Sequence, residues 1–168
     1  MDRFLKTSSL FLAILISVIS QEAIAQIEVE FHEEKRHHIS VFSGGTTIFH
    51  TDEAASTIGL DYEYRINRLL GVGFVVEQAF GSIDATTILT VADIHIWRGL
   101  ALQIGPGIEI LNEETEFGGE ESATNFVARF GALYELEFEG GYTLSPQLHY
   151  DASKEDALVF GISLGLAF

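Results

Sequence analysis

The 168-residue chain contains no cysteine, one tryptophan, two prolines and only nine Lys or Arg against 25 Asp or Glu. Without cysteine there is no disulfide, no thiolate nucleophile and no cysteine-ligated metal. The formal charge of −16 argues against nucleic acid as a partner, because neutralising phosphates needs clustered Lys and Arg. Two prolines beside 16 glycines suit strands and tight turns better than long helices. Long apolar runs are scarce as well. The one present, residues 10–19, is broken by Ser17 and is half the about 20 residues that a membrane-spanning helix needs.

Arg3 and Lys6 precede that run, and Ala23, Ile24 and Ala25 follow it. A basic start, a short apolar centre and small residues at the end make a cleaved secretory signal. Residues 1–25 are therefore expected to be a signal peptide, with Gln26 opening the exported chain and no cysteine there to carry a lipid. Residues 26–36 (QIEVEFHEEKR) are polar without a clear period and read as a loosely held periplasmic arm.

From residue 37 to residue 168 the dominant period is two, interrupted at turn residues. Eight segments carry it: 38–49, 58–66, 70–80, 88–96, 100–111, 126–136, 142–150 and 158–168. In the second, Ile58, Leu60, Tyr62, Tyr64 and Ile66 oppose Gly59, Asp61, Glu63 and Arg65. In the last, Leu158, Phe160, Ile162, Leu164, Leu166 and Phe168 oppose Val159, Gly161, Ser163, Gly165 and Ala167. The first segment is the least regular, with Gly44 and Gly45 suggesting a bulge, and Leu89 and Val91 blur the fourth. Strands of about ten residues, rising about 3.3 Å each and tilted by about 40°, cover roughly 25 Å, the apolar height of a membrane barrel. The expected fold is all-β, an eight-stranded antiparallel up-and-down transmembrane barrel.

Alternation alone does not say which face is outside, since a soluble barrel is apolar within and a membrane barrel is the reverse. The small face is rich in glycine with a few charges between, which suits a crowded lumen; a soluble exterior would carry Lys, Glu and Thr at nearly every position. Aromatic placement agrees. With a periplasmic N-terminus, Tyr64, Trp97, Tyr134, Tyr142 and Phe168 fall near one rim and Phe49, Phe80, Phe126, Tyr150 and Phe160 towards the other, two girdles at headgroup level. The turns near Asn67, Arg98 and Glu139 are short, whereas the outer stretch 112–124 is long.

These residues resemble the small eight-stranded outer-membrane β-barrels of Gram-negative bacteria, of the OmpA and OmpX type. The resemblance covers residues 37–168 and is most specific in the closing strand. It implies that Phe168 is the ring read by the barrel-assembly machinery, that periplasmic chaperones escort the chain, and that outer-membrane lipid and lipopolysaccharide surround it.

Glu63, Arg65, Glu77, Asp93, His95, Glu109, Arg129 and Glu135 fall on the expected inner face. Eight strands leave a bore only wide enough for side chains, so these read as a lumen-filling polar network; a narrow cation path is the functional alternative, because acids outnumber bases there. His32, His37 and His38 beside Glu33 and Glu34 read as a solvated arm, since neighbours on an extended chain point apart. His149, Asp151 and Ser153 fail the geometry of a hydrolytic triad, with Ser153 in a loop. GVG (71–73) and GPG (105–107) lack the third glycine and the helix of a nucleotide loop. Glu113, Glu114, Glu116, Glu120 and Glu121 make the longest outer loop acidic, as Asp52 and Glu53 do the first. Solvation accounts for such a run, and a divalent cation bridging it to lipopolysaccharide is the alternative.

The functional expectation is a monomeric envelope protein with a structural or surface-interaction role, no catalysis and no cofactor. A narrow cation-preferring channel, a soluble periplasmic barrel binding an apolar ligand, and a lipid-modifying enzyme are the alternatives.

Overall fold

The computed structural model describes residues 35–49, 51, 53–114 and 120–168; of Glu113, Glu114, Glu120 and Glu121 only the backbone is described. The expected signal peptide and most of the expected arm lie outside these residues. The strands are β1 (His37–Ile48), β2 (Ala54–Arg65), β3 (Leu70–Gly81), β4 (Ala85–Trp97), β5 (Leu100–Glu114), β6 (Glu120–Tyr134), β7 (Leu136–Glu137), β8 (Tyr142–Ala152) and β9 (Ala157–Ala167). No helix among the described residues is long and apolar enough to cross a membrane.

Every pairing is antiparallel, in chain order from β1 to β6, then β6–β8, β8–β9 and β9–β1. The sheet is a closed barrel of eight staves, with the two-residue β7 continuing the β6 stave. Its closing seam pairs Ile39 with Leu166 and Val41 with Leu164. At its lower end His37 and Phe168 exchange two backbone hydrogen bonds, at 2.9 and 2.8 Å, and their rings stack at 5.5 Å. The lower end carries the tight turns. Asn67 shapes the first of them by accepting the N–H groups of Leu69 and Leu70 on Oδ1, a side chain mimicking a backbone turn.

Several strand limits differ from those read in the sequence. β2 begins at Ala54, β4 at Ala85 and β6 at Glu120, and β5 runs on to Glu114, because short or polar residues continue the ladder beyond the apolar alternation. The long outer stretch is thus largely a projecting hairpin, with Glu113 opposite Glu121 and Glu114 opposite Glu120. β1 has no bulge at Gly44–Gly45: its register runs unshifted against both β2 and β9. It looks irregular because Phe42 faces inward and is fully buried, with Gly44 and Gly161 leaving room for its ring. The register shift lies instead between His95 and Trp97, in the β4–β5 pair.

Both prolines explain interruptions in the ladder. β4–β5 pairs Leu89 with Gly107 and resumes at Ala92 with Ile104, skipping the position of Pro106. β8 pairs Gln147 with Leu133 and then Leu144 with Leu136, skipping Pro146, which separates β7 from β6. Proline has no N–H to donate, and here it faces the gap in each case.

The outward face holds Val41, Ile58, Phe74, Ile104, Phe130, Ile162 and Leu164, all exposed. Leu89 and Val91, ambiguous in the sequence, point inward and pack with Val75 and Val127 in a small apolar layer. A second apolar layer, Ile48, Ala55, Ala79, Ile83, Ala85 and Ala157, caps the lumen at the upper end.

Close strand approach makes some inward glycines irreplaceable. A Cβ on Gly73 would collide with the carbonyl oxygen of Tyr62 in the neighbouring strand, and backbone in a closed ladder cannot retreat. Gly73→Val is therefore expected to destabilise the barrel by at least the ~1–3 kcal/mol of ordinary overpacking, measured as the urea midpoint of the protein folded in detergent micelles. An unchanged midpoint would show that the two strands are not held this close.

Candidate functional site

With the bulky residues outside, the chemistry of this protein faces the lumen. Three polar tiers can be followed down from the apolar cap. In the first, Arg129 of β6 is 1 % exposed and lies between two carboxylates. Its Nη1 and Nη2 donate to Glu77 Oε1 and Oε2 at 2.8 and 2.6 Å, while Nε and Nη2 donate to Asp151 Oδ1 and Oδ2, both at 2.7 Å. These are paired, planar contacts of the kind guanidinium makes with carboxylate, and they tie β3, β6 and β8 across the bore.

The lowest tier is a second ionic cluster. Arg65 Nη2 donates to both oxygens of Glu135 at 2.8 and 2.9 Å, and Arg65 Nε lies 3.4 Å from Glu63 Oε2. His95 Nε2 is 2.6 Å from Glu63 Oε1. His38 Nε2 is 2.7 Å from Thr143 Oγ1 and 3.8 Å from Glu135. Between the two tiers Gln103 donates to Asp93 at 3.0 Å, Gln147 donates to Ser163 at 2.7 Å, and His149 Nε2 meets Gln147 Oε1 at 2.9 Å.

Glycines on neighbouring strands make these tiers possible. The side chain of Glu77 lies over Gly59, Glu63 over Gly71, His149 over Gly131 and His38 over Gly165, each where a Cβ would stand. The small-residue face is thus a set of recesses that receive the large polar groups.

Of the residues singled out in the sequence, Arg129 and Glu77 share the upper tier, and Glu63, Arg65, His95 and Glu135 the lower one. Asp93 lies between them. Glu109 joins neither and accepts the hydroxyl of Ser153 at 3.2 Å near the upper rim. Four titratable lumen residues were missed among the described ones: Asp61, Asp151, His149 and His38. Asp61 was legible, since it alternates with Glu63 on one face. His149 was legible too, since it shares the small face of its strand with Thr143, Ser145 and Gln147, whereas Asp151 enters the sequence reading only as a triad member; Asp151 is engaged by Arg129 and His149 is 1 % exposed. The solvated-arm reading of His37 and His38 is corrected: His38 is buried in the lumen, and His37 opens β1, with its Nδ1 2.8 Å from the Tyr62 hydroxyl.

Around the rims, Trp97, Tyr142 and Phe168 are exposed at the lower end, with Tyr64 and Tyr134 half-buried. Phe49, Phe80, Tyr150 and Phe160 are exposed near the upper end, where Phe49 and Tyr150 lie 6.0 Å apart. Phe126 stands three positions below the level of Ala85, which pairs with Leu111 and through it with Ala123. The acidic cluster proposed for a divalent cation falls on Glu116, outside the described residues, and on four Glu whose side chains are not described. Among the described residues no group of three or more His, Asp or Glu is arranged to hold a metal ion.

The Arg129 tier should dominate stability. Arg129→Leu leaves two buried carboxylates without a counter-ion, an expected loss of ~3–5 kcal/mol in urea unfolding of the micelle-folded protein. Adding Glu77→Leu and Asp151→Leu to the same chain should restore most of it; equal loss in single and triple variants would mean that packing rather than charge is responsible.

No protein-family model matches this chain, and no curated protein matches it. Solved structures do. The attachment invasion locus protein Ail of Yersinia pestis, in complex with the heparin analogue sucrose octasulfate, superposes with a TM-score of 0.61 at 18 % identity, covering 81 % of this chain and all of that one. The N-terminal β-barrel domain of Pseudomonas aeruginosa OprF gives 0.58 at 14 % identity, covering 78 % and 97 %. A de novo designed transmembrane β-barrel gives 0.51 at 14 % identity, covering 80 % and 98 %. Such identities speak for architecture alone, and the architecture is that of the small eight-stranded outer-membrane β-barrels.

Proposed function

We propose that this chain is an integral outer-membrane protein of a Gram-negative envelope, exported through the secretory pathway, with a structural or surface-interaction role and no catalysis. One observation carries the reading: every long stave presents a bulky apolar face outward, while the lumen is filled by polar tiers that hold nearly all of the buried charge. Soluble monomers rarely expose apolar patches beyond a few hundred Å². The outward face also favours this reading over a soluble barrel lined by its bulky residues. Lipid and lipopolysaccharide are the surroundings such an exterior fits, and the rim aromatics suit their headgroups.

A surface role would belong to the β5–β6 hairpin, whose two 15-residue strands are the longest in the barrel. Its acidic residues favour a cationic or cation-bridged partner. A polyanion such as the heparin analogue bound to Ail is a poor match for that charge. Phe168, stacked on His37 at the seam, fits the proposed recognition by the barrel-assembly machinery and periplasmic chaperones. A conducting path has no support in the geometry, because the Arg129 tier and the apolar cap both cross the bore.

Cells lacking the protein separate the two roles. A structural role predicts that wild-type protein and a variant with residues 113–121 replaced by a short turn both restore detergent resistance of the envelope. A surface role predicts that only the wild type restores adhesion or cell–cell aggregation. Failure of both proteins to change either property would remove the proposal. In planar bilayers no discrete conductance steps are expected; cation-selective steps would replace this reading with the channel. Phe168→Ala should fold in micelles yet reach the outer membrane poorly in cells, and normal delivery would dismiss its role as an assembly signal.

A further inference from the structure

Below the Arg129 tier lies a cavity of about 30 Å³, lined by Asp61, Asp93, Ser145, Ser163, Gln103 and Gln147 and floored by the lower tier's His38, Glu63, His95 and Glu135. Two of its polar atoms are buried without a hydrogen-bond partner: Asp61 Oδ1 and Ser145 Oγ. Ser145 is only 3 % exposed. It stands directly opposite Ser163 in the β8–β9 ladder, and the Ser163 hydroxyl lies 3.4 Å from the other oxygen of Asp61. A carboxylate oxygen and a hydroxyl therefore face one small buried space, both unsatisfied. Buried polar groups are almost always partnered, and an orphan pair of this kind calls for an explanation such as a water or an ion.

Charge identifies the class of that species. The carboxylates of Asp61, Glu63, Glu77, Asp93, Glu135 and Asp151 share the lumen with two guanidinium groups, Arg65 and Arg129. Glu77 and Asp151 hold Arg129; Glu63 and Glu135 hold Arg65 and lie beside His95 and His38. Asp61 and Asp93 have only neutral hydrogen-bond partners among the described residues, two hydroxyls at 3.4 Å and one amide at 3.0 Å, and neither forms an ion pair with the more distant Arg129 and His95. Unpaired carboxylates out of water are costly, and both line the same cavity. Its size admits one ion with little accompanying water, and the unpartnered donors it offers are hard oxygens, the imidazoles of His38 and His95 being engaged by Thr143 and Glu63. Without a three-ligand acidic set it does not suit a divalent metal. Access comes from below, where Arg65, His95 and His38 retain 26, 15 and 11 % side-chain exposure, whereas the Arg129 tier closes the way above.

We propose that this cavity binds one small monovalent cation of the Na⁺ class, held by Asp61 Oδ1 and Ser145 Oγ with Asp93 supplying the second negative charge. The site rests on lumen geometry and not on the function proposed above. It is a dead-end site entered from the lower rim, and so stabilises the barrel without making it a conductor.

The test is urea unfolding of the micelle-folded full chain at fixed pH and ionic strength, with NaCl exchanged stepwise for N-methyl-D-glucamine chloride. A bound ion should raise the midpoint by an even increment for each tenfold rise in Na⁺ above the dissociation constant. Asp61→Asn and Ser145→Ala should both fold and lose that increment, while ²³Na line broadening seen with the wild type disappears. The variants keep every surface carboxylate, so a sodium effect persisting in them belongs to the outer loops and overturns the site. Identical midpoints in the two salts, with no ²³Na broadening, would also overturn it and leave the cavity to water or a proton. Should Asp61→Asn not fold, Ser145→Ala with the ²³Na measurement decides alone.

Discussion

A strand surrounded by apolar solvent has no water to accept its N–H groups, and a sheet in that setting must close on itself. Closure of β9 on β1 and of β8 on β6 is the constraint on which everything else in this barrel depends. It fixes eight staves, and eight staves fix a bore that side chains alone can fill. The two prolines show how strictly the ladder is used elsewhere, since the gaps in the β4–β5 and β6–β8 ladders coincide with Pro106 and Pro146.

Closure turns the inner face into an energetic problem. Six acidic side chains and two guanidinium groups are enclosed where an unpaired charge is expensive. Glycine recesses on neighbouring strands let Glu77, Glu63, His149 and His38 lie flat against the wall, so that arginine can meet two carboxylates at once. The result is an alternation of apolar and ionic layers along the bore, fully buried at Arg129 and more open at the lower rim. Such a lumen suits a scaffold.

Much of this was legible in the residue pattern. Period two, glycine opposite bulky side chains, and aromatics near strand ends follow from strand geometry and local chemistry, so the barrel and its outward face could be read before any coordinates. The reading weakened wherever the alternation was broken by content. The alternation in β1 suggests a bulge at Gly44 and Gly45 because Phe42, a bulky inward residue, violates the pattern, and only the packing of its ring against Gly44 and Gly161 explains it. His38 looked like part of a polar arm because its partners, Thr143 and Glu135, lie about a hundred positions away.

The sequence by itself determined the class of fold, the approximate staves and which face points outward, because each of these depends on the alternation of neighbouring residues along one strand. Tertiary structure alone decided which charges pair, that Asp151 serves Arg129, and that Asp61 and Ser145 face the same cavity. Those relations depend on register and curvature across strands remote in sequence, where a shift of one residue would send every inward group to the outside.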